Sequence, residues 1–154
     1  MVLTNATQLR YSEAMEKEAL LQIIRSHQLR LTKTRQGLLD LFLVMHTPLS
    51  VSHILSELAS RGLLVNKTTV YRELEQLEKV GIVRGLSLGD RKQYFELASR
   101  DHHHHFVCIE CDEVEDVLFD EFDLSKQETL LAQKKGFSVF NHSLEFFGLC
   151  KSCS

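Results

Sequence analysis

The four cysteines of this 154-residue sequence form two pairs of the type Cys-x-x-Cys. One pair is Cys108 and Cys111, and the other is Cys150 and Cys153. Two pairs at this spacing are typical of a tetrahedral zinc site with four thiolate ligands, which has no open position for a substrate. The alternative is two disulfides, but residues 1–10 lack the apolar run of a signal peptide, so an oxidising compartment is not indicated. The sequence therefore predicts a structural zinc ion.

Four consecutive histidines, His102 to His105, precede the first cysteine pair. Side chains of a β-strand alternate between its two faces. If the segment is a strand, His103 and His105 share one face, and His102 and His104 share the other. Because neutral imidazole is a common metal ligand, such a strand can supply two separate metal sites. The alternative is a polar, solvated turn.

The composition indicates an ordinary globular protein with an uneven distribution of charge. Hydrophobic residues make up 44% and charged residues 25% of the chain, and the formal net charge is −3. Residues 1–98 contain 13 Lys and Arg against 10 Asp and Glu, whereas residues 99–154 contain 5 against 11. This asymmetry predicts two modules with different partners. The apolar runs are far shorter than a membrane span, so we expect a cytoplasmic protein with no membrane partner.

Apolar residues at helical spacing predict four helices in the first module. The first helix covers about residues 12–26, and the fourth, from Thr68 to Val80, carries Val70, Leu74 and Leu77 on its inward face. The boundary signals are Thr32 or Thr34 and Ser50 or Ser52 as N-caps, with Gly62 and Gly81 at C-terminal ends. The segment Asn66-Lys67-Thr68-Thr69 opens the fourth helix.

Two short strands follow these helices, Ile82 to Arg84 and Gln93 to Leu97, with Gly89-Asp90 as the turn between them. Helices followed by a β-hairpin predict a winged helix-turn-helix. In this motif the N-terminal end of the last helix, called the recognition helix, enters the DNA major groove. The candidate DNA-binding residues are Arg30, Lys67, Thr68, Thr69, Tyr71, Arg72 and Arg91. Basic side chains suit phosphates, and tyrosine suits a phosphate or a thymine methyl. The alternative is a generic helical domain with solvated charges.

The second module is expected to be a small α/β domain. Its β-forming stretches lie at 106–109, 113–119 and 143–149. Ser125-x-x-Glu128 matches a capping box at the start of a helix. A domain of this size benefits from a metal and a partner, and an unpaired sheet edge favours dimerisation. We therefore predict the α+β class, with a winged-helix domain at residues 1–98, a hinge at 99–101 and a metal-binding dimerisation domain at 102–154.

Five short motifs between Thr69 and Cys153 are specific in combination. They are Thr69-Val70-Tyr71-Arg72, Phe95-Glu96-Leu97, His102 to His105 before Cys108-x-x-Cys111, Asn141-His142-Ser143-Leu144, and Phe147-Gly148-Leu149-Cys150-x-x-Cys153. Together they resemble the ferric uptake regulator superfamily. The resemblance implies a bacterial, homodimeric, metal-dependent transcription factor, usually a repressor, that binds double-stranded operator DNA. Such a protein is not an enzyme, and the sequence also lacks the His-x-Glu element of zinc deaminases. A metal store is a further alternative, but it needs no DNA-binding helix.

Matched residue by residue, the resemblance implies three metal sites. The structural zinc ligands are the four cysteines. The regulatory ligands are Glu96, His103, His105 and Asp116. The second site uses His102, His104 and His142 with a carboxylate, either Asp123 or Glu121. The family often takes another regulatory histidine from the DNA-binding domain, but Pro48 occupies that position here, which leaves His46 as the candidate.

The regulatory ligands implied by the resemblance are oxygen and nitrogen donors without thiolate, which suits Fe(II) or Mn(II). Zinc-sensing relatives often bring a cysteine into the sensory site, whereas here all four cysteines belong to the structural site. Zinc nevertheless binds histidine and carboxylate well. We therefore expect structural Zn(II) and an iron-responsive regulator, with Mn(II), Zn(II) or peroxide sensing as alternatives. Peroxide sensors commonly have aspartate where this chain has Glu96.

Overall fold

The computed structural model describes residues 5–89, 92–101, 103–117, 122–140 and 142–154, with side chains from residue 14 onward except those of residues 122 and 123. The chain forms two compact units, Met1–Arg100 and Asp101–Ser154, called unit 1 and unit 2 below. Within the described ranges, none of the helices has the length and apolar character needed to cross a membrane.

Unit 1 is built from helices followed by a small sheet. Its elements are α1 (Asn5–Ser26), α2 (Lys33–Val44), β1 (Leu49–Ser50), α3 (Val51–Ser60), α4 (Lys67–Lys79), β2 (Val83–Ser87) and β3 (Gln93–Leu97). The side chains of Thr32, Ser50 and Asn66 cap α2, α3 and α4 by accepting hydrogen bonds from backbone N–H groups three residues later. Gly62 and Gly81 follow α3 and α4 with positive φ angles of 78° and 72°, a conformation that costs glycine little. The predicted caps are therefore confirmed, and Thr32 and Ser50 are the residues used.

The first helix is longer than predicted. It begins at Asn5 rather than near Ser12, because residues 5–11 contain neither glycine nor proline to end it. The fully buried core of unit 1 includes Ile24, Leu38, Leu41, Phe42, Ile54, Leu58, Val70, Leu74 and Leu77. Each such side chain contributes about 1.5–3 kcal/mol by leaving water. Burial of the three α4 residues fixes which face of that helix points outward.

The sheet of unit 1 has β3 at its centre, antiparallel to both β1 and β2. The sequence did not predict β1, since two residues are too few to show a strand pattern. It exists because Leu49 and Ser50 pair with Phe95 and Tyr94, which are far away along the chain. The strand β2 begins at Val83 rather than Ile82 and continues to Ser87.

Unit 2 contains a second sheet and one helix among its described residues. Its elements are β4 (His104–Cys108), β5 (Val114–Val117), α5 (Phe122–Lys135) and β6 (Glu145–Gly148). The central strand β4 is antiparallel to β5 and parallel to β6. Together, the helical unit with its hairpin and this small α/β unit confirm the predicted α+β class.

The capping box predicted at Ser125-x-x-Glu128 is wrong. The helix α5 already begins at Phe122, so Ser125 lies inside it. There its carbonyl oxygen accepts a hydrogen bond of 2.8 Å from the Thr129 hydroxyl. The Glu128 carboxylate therefore has no N-terminal N–H group to cap and points to another partner, described below.

Candidate metal centres and nucleic-acid interface

The four cysteines gather at one end of the unit 2 sheet. Cys108 is the last residue of β4, and its parallel pairing with Gly148 of β6 brings Cys150 beside it. Cys111 lies in the turn after β4, and Cys153 lies in the turn after β6. All four Sγ atoms are within 4.8 Å of one another. The strand pairing therefore joins two pairs that are distant in sequence.

The geometry of this cluster fits a tetrahedral metal. The Sγ atoms of Cys111 and Cys150 are 3.7 Å apart. A regular tetrahedron with metal–sulfur bonds of about 2.3 Å has sulfurs about 3.8 Å apart. No disulfide joins the four cysteines, each of which the structure describes. Donor type and spacing together fit a structural zinc ion.

The thiols of the cluster differ in acidity. Backbone N–H groups of Cys111 and Cys150 donate to the sulfur of Cys108 and lower the pKa of Cys108 to about 6. The pKa of Cys153 is raised because its thiol shares hydrogen bonds with the sulfurs of Cys150 and Cys111. Thiolates this close repel each other. A divalent cation, which requires thiolate ligands, offsets that repulsion.

A second group of potential metal ligands lies at the start of β4 and on the facing residue of β5. The antiparallel register places His105 opposite Asp116 of β5. The Nε2 atoms of His103 and His105 lie 3.7 Å and 4.0 Å from Oδ1 of Asp116, and the two imidazole centroids are 4.7 Å apart. Two nitrogens and a carboxylate oxygen therefore converge within unit 2, in the donor pattern of a metal site.

A hydrogen bond orients the first of these histidines. Nδ1 of His103 is 2.7 Å from the carbonyl oxygen of Asp101. Because a carbonyl oxygen only accepts, Nδ1 carries the proton when this bond forms, and the ring lone pair is on Nε2. Nε2 is the atom that faces Asp116. Backbone support of this kind is common behind histidine ligands of metals.

The remaining predicted regulatory residues lie in unit 1. Glu96 is buried in β3, and its Oε1 accepts a hydrogen bond of 2.6 Å from Nε of Arg84 in β2. His46 is exposed between α2 and β1. Among the described residues it belongs to no cluster of three or more His, Cys, Asp or Glu side chains. Within the described part of the chain, His46 is therefore not part of a group of potential metal ligands.

The opposite face of β4 carries His104. Its ring centroid is 5.4 Å from that of His142, and Nδ1 of His142 lies 2.7 Å from Oε1 of Glu128. The sequence pattern did not predict this role of Glu128, because Ser125-x-x-Glu128 matches a capping box. Three predicted residues, His102, Glu121 and Arg91, lie outside the described residues, as does the side chain of Asp123. Among the described side chains, Glu128 is the carboxylate that contacts His142.

The start of α4 presents a basic and aromatic surface. Lys67, Thr68, Tyr71 and Arg72 are exposed, and Thr69 is half-buried. Nζ of Lys67 lies 5.8 Å from the centroid of the Tyr71 ring, within the range of a cation–π contact. These residues lie opposite the buried apolar stripe of α4, so this end of the helix is available for a partner.

Two open grooves flank this end of α4. The first, of about 440 Å³, lies between α4 and the α1–α2 connection, and its lining includes Arg30, Thr69 and Arg72. The second, of about 420 Å³, lies toward the start of α3, and its lining includes Lys67 and Lys92. Basic side chains on both sides of a recognition helix suit the two phosphate backbones that border a DNA groove.

Comparisons with known proteins agree with this geometry. The model of the ferric uptake regulator family matches residues 26–147. The chain is 30% identical over 140 residues to the ferric uptake regulation protein of Neisseria meningitidis serogroup C, covering 90% of this chain and 96% of that protein. It is 28% identical over 130 residues to a peroxide-responsive repressor of Staphylococcus saprophyticus, covering 84% and 86%. The crystal structure of the Vibrio cholerae ferric uptake regulator matches with a TM-score of 0.72 at 30% identity, covering 84% of this chain and 98% of that chain.

Proposed function

Because this chain belongs to the ferric uptake regulator family and is a metal-responsive transcriptional regulator, we propose that it is an iron-responsive repressor that binds operator DNA as a homodimer. The observation that carries the proposal is the presence of two chemically different clusters in unit 2. One consists of four sulfurs, and the other consists of His103, His105 and Asp116. A sulfur-only site suits a permanent structural ion, whereas a nitrogen and oxygen site suits an exchangeable one.

The four cysteines are proposed to hold zinc. Thiolate ligands favour Zn(II) over hard cations such as Mn(II). A closed four-sulfur site does no chemistry on a substrate. When bound there, zinc supplies a fixed cross-link between the turn after β4 and the segment after β6. The cysteines therefore stabilise unit 2 and leave the response to other residues.

The regulatory ligands are proposed to be His103, His105 and Asp116 of unit 2 together with Glu96 of unit 1. Glu96 is included on its residue-by-residue match to the family, and His46 remains a proposed fifth ligand. A set with imidazole and carboxylate donors and no thiolate accepts Fe(II), Mn(II) or Zn(II). We favour Fe(II), because every cysteine of the chain belongs to the separate sulfur cluster.

The switch is proposed to act through residues 99–101. If Glu96 shares a metal with the histidines of unit 2, ligation restricts the angle at this hinge. In a dimer it then holds the two recognition helices at about 34 Å, one turn of DNA. The difference in affinity between restricted and unrestricted forms is the coupling free energy, typically about 1–3 kcal/mol.

Homodimerisation is proposed to use the apolar surface of unit 2. The exposed side chains there include Leu131, Phe137, Phe140, Phe146 and Phe147. Large exposed apolar patches mark interaction sites, and a second copy of this chain brings the matching patch. Sedimentation equilibrium is the measurement, and a monomer at micromolar concentration would reject this part of the proposal.

The function is tested by titrating DNA binding with each metal separately. An operator is first selected from a pool of random duplexes with Mn(II) present. Binding is then measured against free Fe(II), Mn(II) and Zn(II) under anaerobic conditions. We expect Fe(II) to support binding at concentrations that leave the zinc content unchanged. DNA binding that ignores all three metals would reject a metal-responsive repressor.

Peroxide sensing is the second candidate, favoured by the similarity to the peroxide-responsive repressor of Staphylococcus saprophyticus. The same histidines around Fe(II) would then be oxidised. The discriminating measurement is the mass of the peptide containing His103 and His105 after the Fe(II) form meets hydrogen peroxide. An added oxygen atom together with release of operator DNA supports this candidate, and an unchanged mass supports iron sensing.

The recognition surface on α4 yields a direct prediction. Tyr71→Ala and Arg72→Ala are each expected to weaken operator binding about 5-fold to 150-fold, since a base contact is worth about 1–3 kcal/mol. Metal content and dimerisation should remain as in the wild type, because both side chains are exposed. Fluorescence anisotropy with labelled operator measures the affinity.

The matched control is Arg61→Ala, which removes the same charge as Arg72→Ala from the far end of α3, where Arg61 is exposed. It is expected to bind operator with nearly wild-type affinity. If Arg61→Ala weakens binding as much as Arg72→Ala does, general charge rather than the recognition helix explains the effect.

The contact between Glu128 and His142 yields a prediction for the second site. Glu128→Gln is expected to lower metal affinity there about 10-fold to 100-fold, as loss of a ligand or its hydrogen-bonded support does. Metal-dependent operator binding should persist with a shifted threshold. Native mass spectrometry during a metal titration measures the occupancy of each site.

The control for this prediction is Glu115→Gln, which makes the same change at an exposed position of β5. Its metal stoichiometry should equal that of the wild type. If Glu128→Gln binds metal at the second site with wild-type affinity, Glu128 is not a ligand or a support of that site.

A further inference from the structure

One guanidinium in unit 1 joins the recognition helix to the α1–α2 connection. Arg35, in the first turn of α2, is only 6% exposed. Its Nη2 lies 2.8 Å from Oε2 of Glu73 in α4, and its Nη1 donates a hydrogen bond to the carbonyl oxygen of Arg30. A single buried side chain thus contacts two of the segments that carry proposed DNA-binding residues, α4 and the α1–α2 connection.

The partner carboxylate occupies a sensitive position. Glu73 directly follows Arg72, and its side chain is 16% exposed. It lines the same groove as Arg30 and Arg72. Without a cationic partner, a partly desolvated carboxylate in this groove would repel a DNA phosphate. The Arg35 guanidinium lies against the Glu73 carboxylate and offsets its charge. The other carboxylate of the groove, Glu75, pairs with Lys79.

Stability alone is a weak explanation for this ion pair. The desolvation of two buried charges offsets much of their attraction, and apolar residues of similar volume often stabilise as well or better. The planar guanidinium, however, directs its N–H donors along separate fixed directions. It can therefore hold two partners at a defined angle, which the compact ammonium of lysine does not do.

We propose that Arg35 and Glu73 are positioning residues for DNA binding, which hold the Arg30 segment at a set distance from α4 so that Arg30 and Arg72 reach the same operator. The inference rests on the proposed function, in which Arg30 and Arg72 contact DNA. Arg35 and Glu73 act through these neighbours and do not touch the DNA themselves.

The test is the double variant Arg35→Met, Glu73→Leu, which leaves the net charge unchanged. Apolar replacements of similar volume should keep unit 1 folded, as checked by thermal unfolding. Operator affinity is expected to fall about tenfold, the effect of one lost charged contact. The slope of log K against the logarithm of the salt concentration should become less negative by about 0.9, the value for one phosphate contact. A purely structural role for a buried neutral pair would leave that slope unaltered.

Two further variants sharpen the test. The matched control is Arg61→Gln, Glu57→Gln, which removes an ion pair from the C-terminal end of α3 at no net change in charge. It should keep wild-type affinity and slope. Arg30→Ala should weaken operator binding about tenfold when introduced into the wild type. It should weaken binding much less when introduced into the double variant, because the Arg30 segment is already displaced there.

Arg35→Lys covers the case in which the double variant does not fold. It keeps a positive charge opposite Glu73 but releases the Arg30 carbonyl, so the same loss of slope is expected with little change in Tm. Wild-type affinity and slope in the folded double variant, or in Arg35→Lys, would overturn the inference while the proposed function stands. A wild-type protein that binds no operator would overturn both.

Discussion

Cys108→Ser and Cys150→Ser are each expected to release the zinc ion and unfold unit 2. Folding and metal binding are coupled in small metal domains, where structural zinc is worth about 10–16 kcal/mol near neutral pH. That exceeds or equals the whole stability of a typical domain, about 5–15 kcal/mol. Serine is nearly the same size as cysteine but is a poor zinc ligand, so the loss reports coordination rather than packing. Loss of zinc should also dissociate the dimer.

The measurements are zinc content per chain, circular dichroism and molecular mass in solution. Ser152→Ala is the matched control, because Ser152 lies between Cys150 and Cys153 and supplies no thiolate. It should retain one zinc per chain and the dimer. Unit 1 has its own apolar core and is expected to keep its helical signal in both cysteine variants. Native protein that contains two disulfides and no zinc would contradict the prediction.

His103→Ala is expected to abolish metal-dependent operator binding while zinc content, fold and dimer remain. Its Nε2 and that of His105 face the same carboxylate oxygen of Asp116, so removing one donor opens the site. If Glu96 is the fourth regulatory ligand, Glu96→Ala should also abolish metal-dependent operator binding. A coupling free energy of about 1–3 kcal/mol corresponds to a loss of about 5-fold to 150-fold in affinity for DNA. Anisotropy titrations at fixed DNA and varied Fe(II) measure it.

His142→Ala is the matched control for this prediction, since it removes an imidazole from the other face of β4 in the same unit. It should shift the metal threshold or lower stability without removing the response. If His103→Ala kept the wild-type titration and His142→Ala or His104→Ala abolished it, the regulatory role would belong to the opposite face of the strand.

The sequence by itself determined the features that depend on neighbouring residues. The starts of helices could be predicted because the side chains of Thr32, Ser50 and Asn66 accept hydrogen bonds from backbone N–H groups only three residues away. The thiolate donor set was readable because each Cys-x-x-Cys pair lies within one turn. The alternation of a strand likewise predicted that His103 and His105 share a face, and their rings lie 4.7 Å apart. The motifs also led to the correct family, as the comparisons confirm.

Only the tertiary structure decided the contacts between residues that are distant along the chain. The short strand β1 exists through its pairing with β3, and no local pattern in two residues reveals it. The partners of Arg35 are Glu73 of α4 and the carbonyl oxygen of Arg30, and no local sequence pattern predicts the contact with Glu73. Glu128 read as a cap until the fold brought His142 to its carboxylate. These contacts depend on how helices and strands pack against each other. The sequence identifies which side chains can donate or accept, but it does not identify the distant residue that each of them contacts.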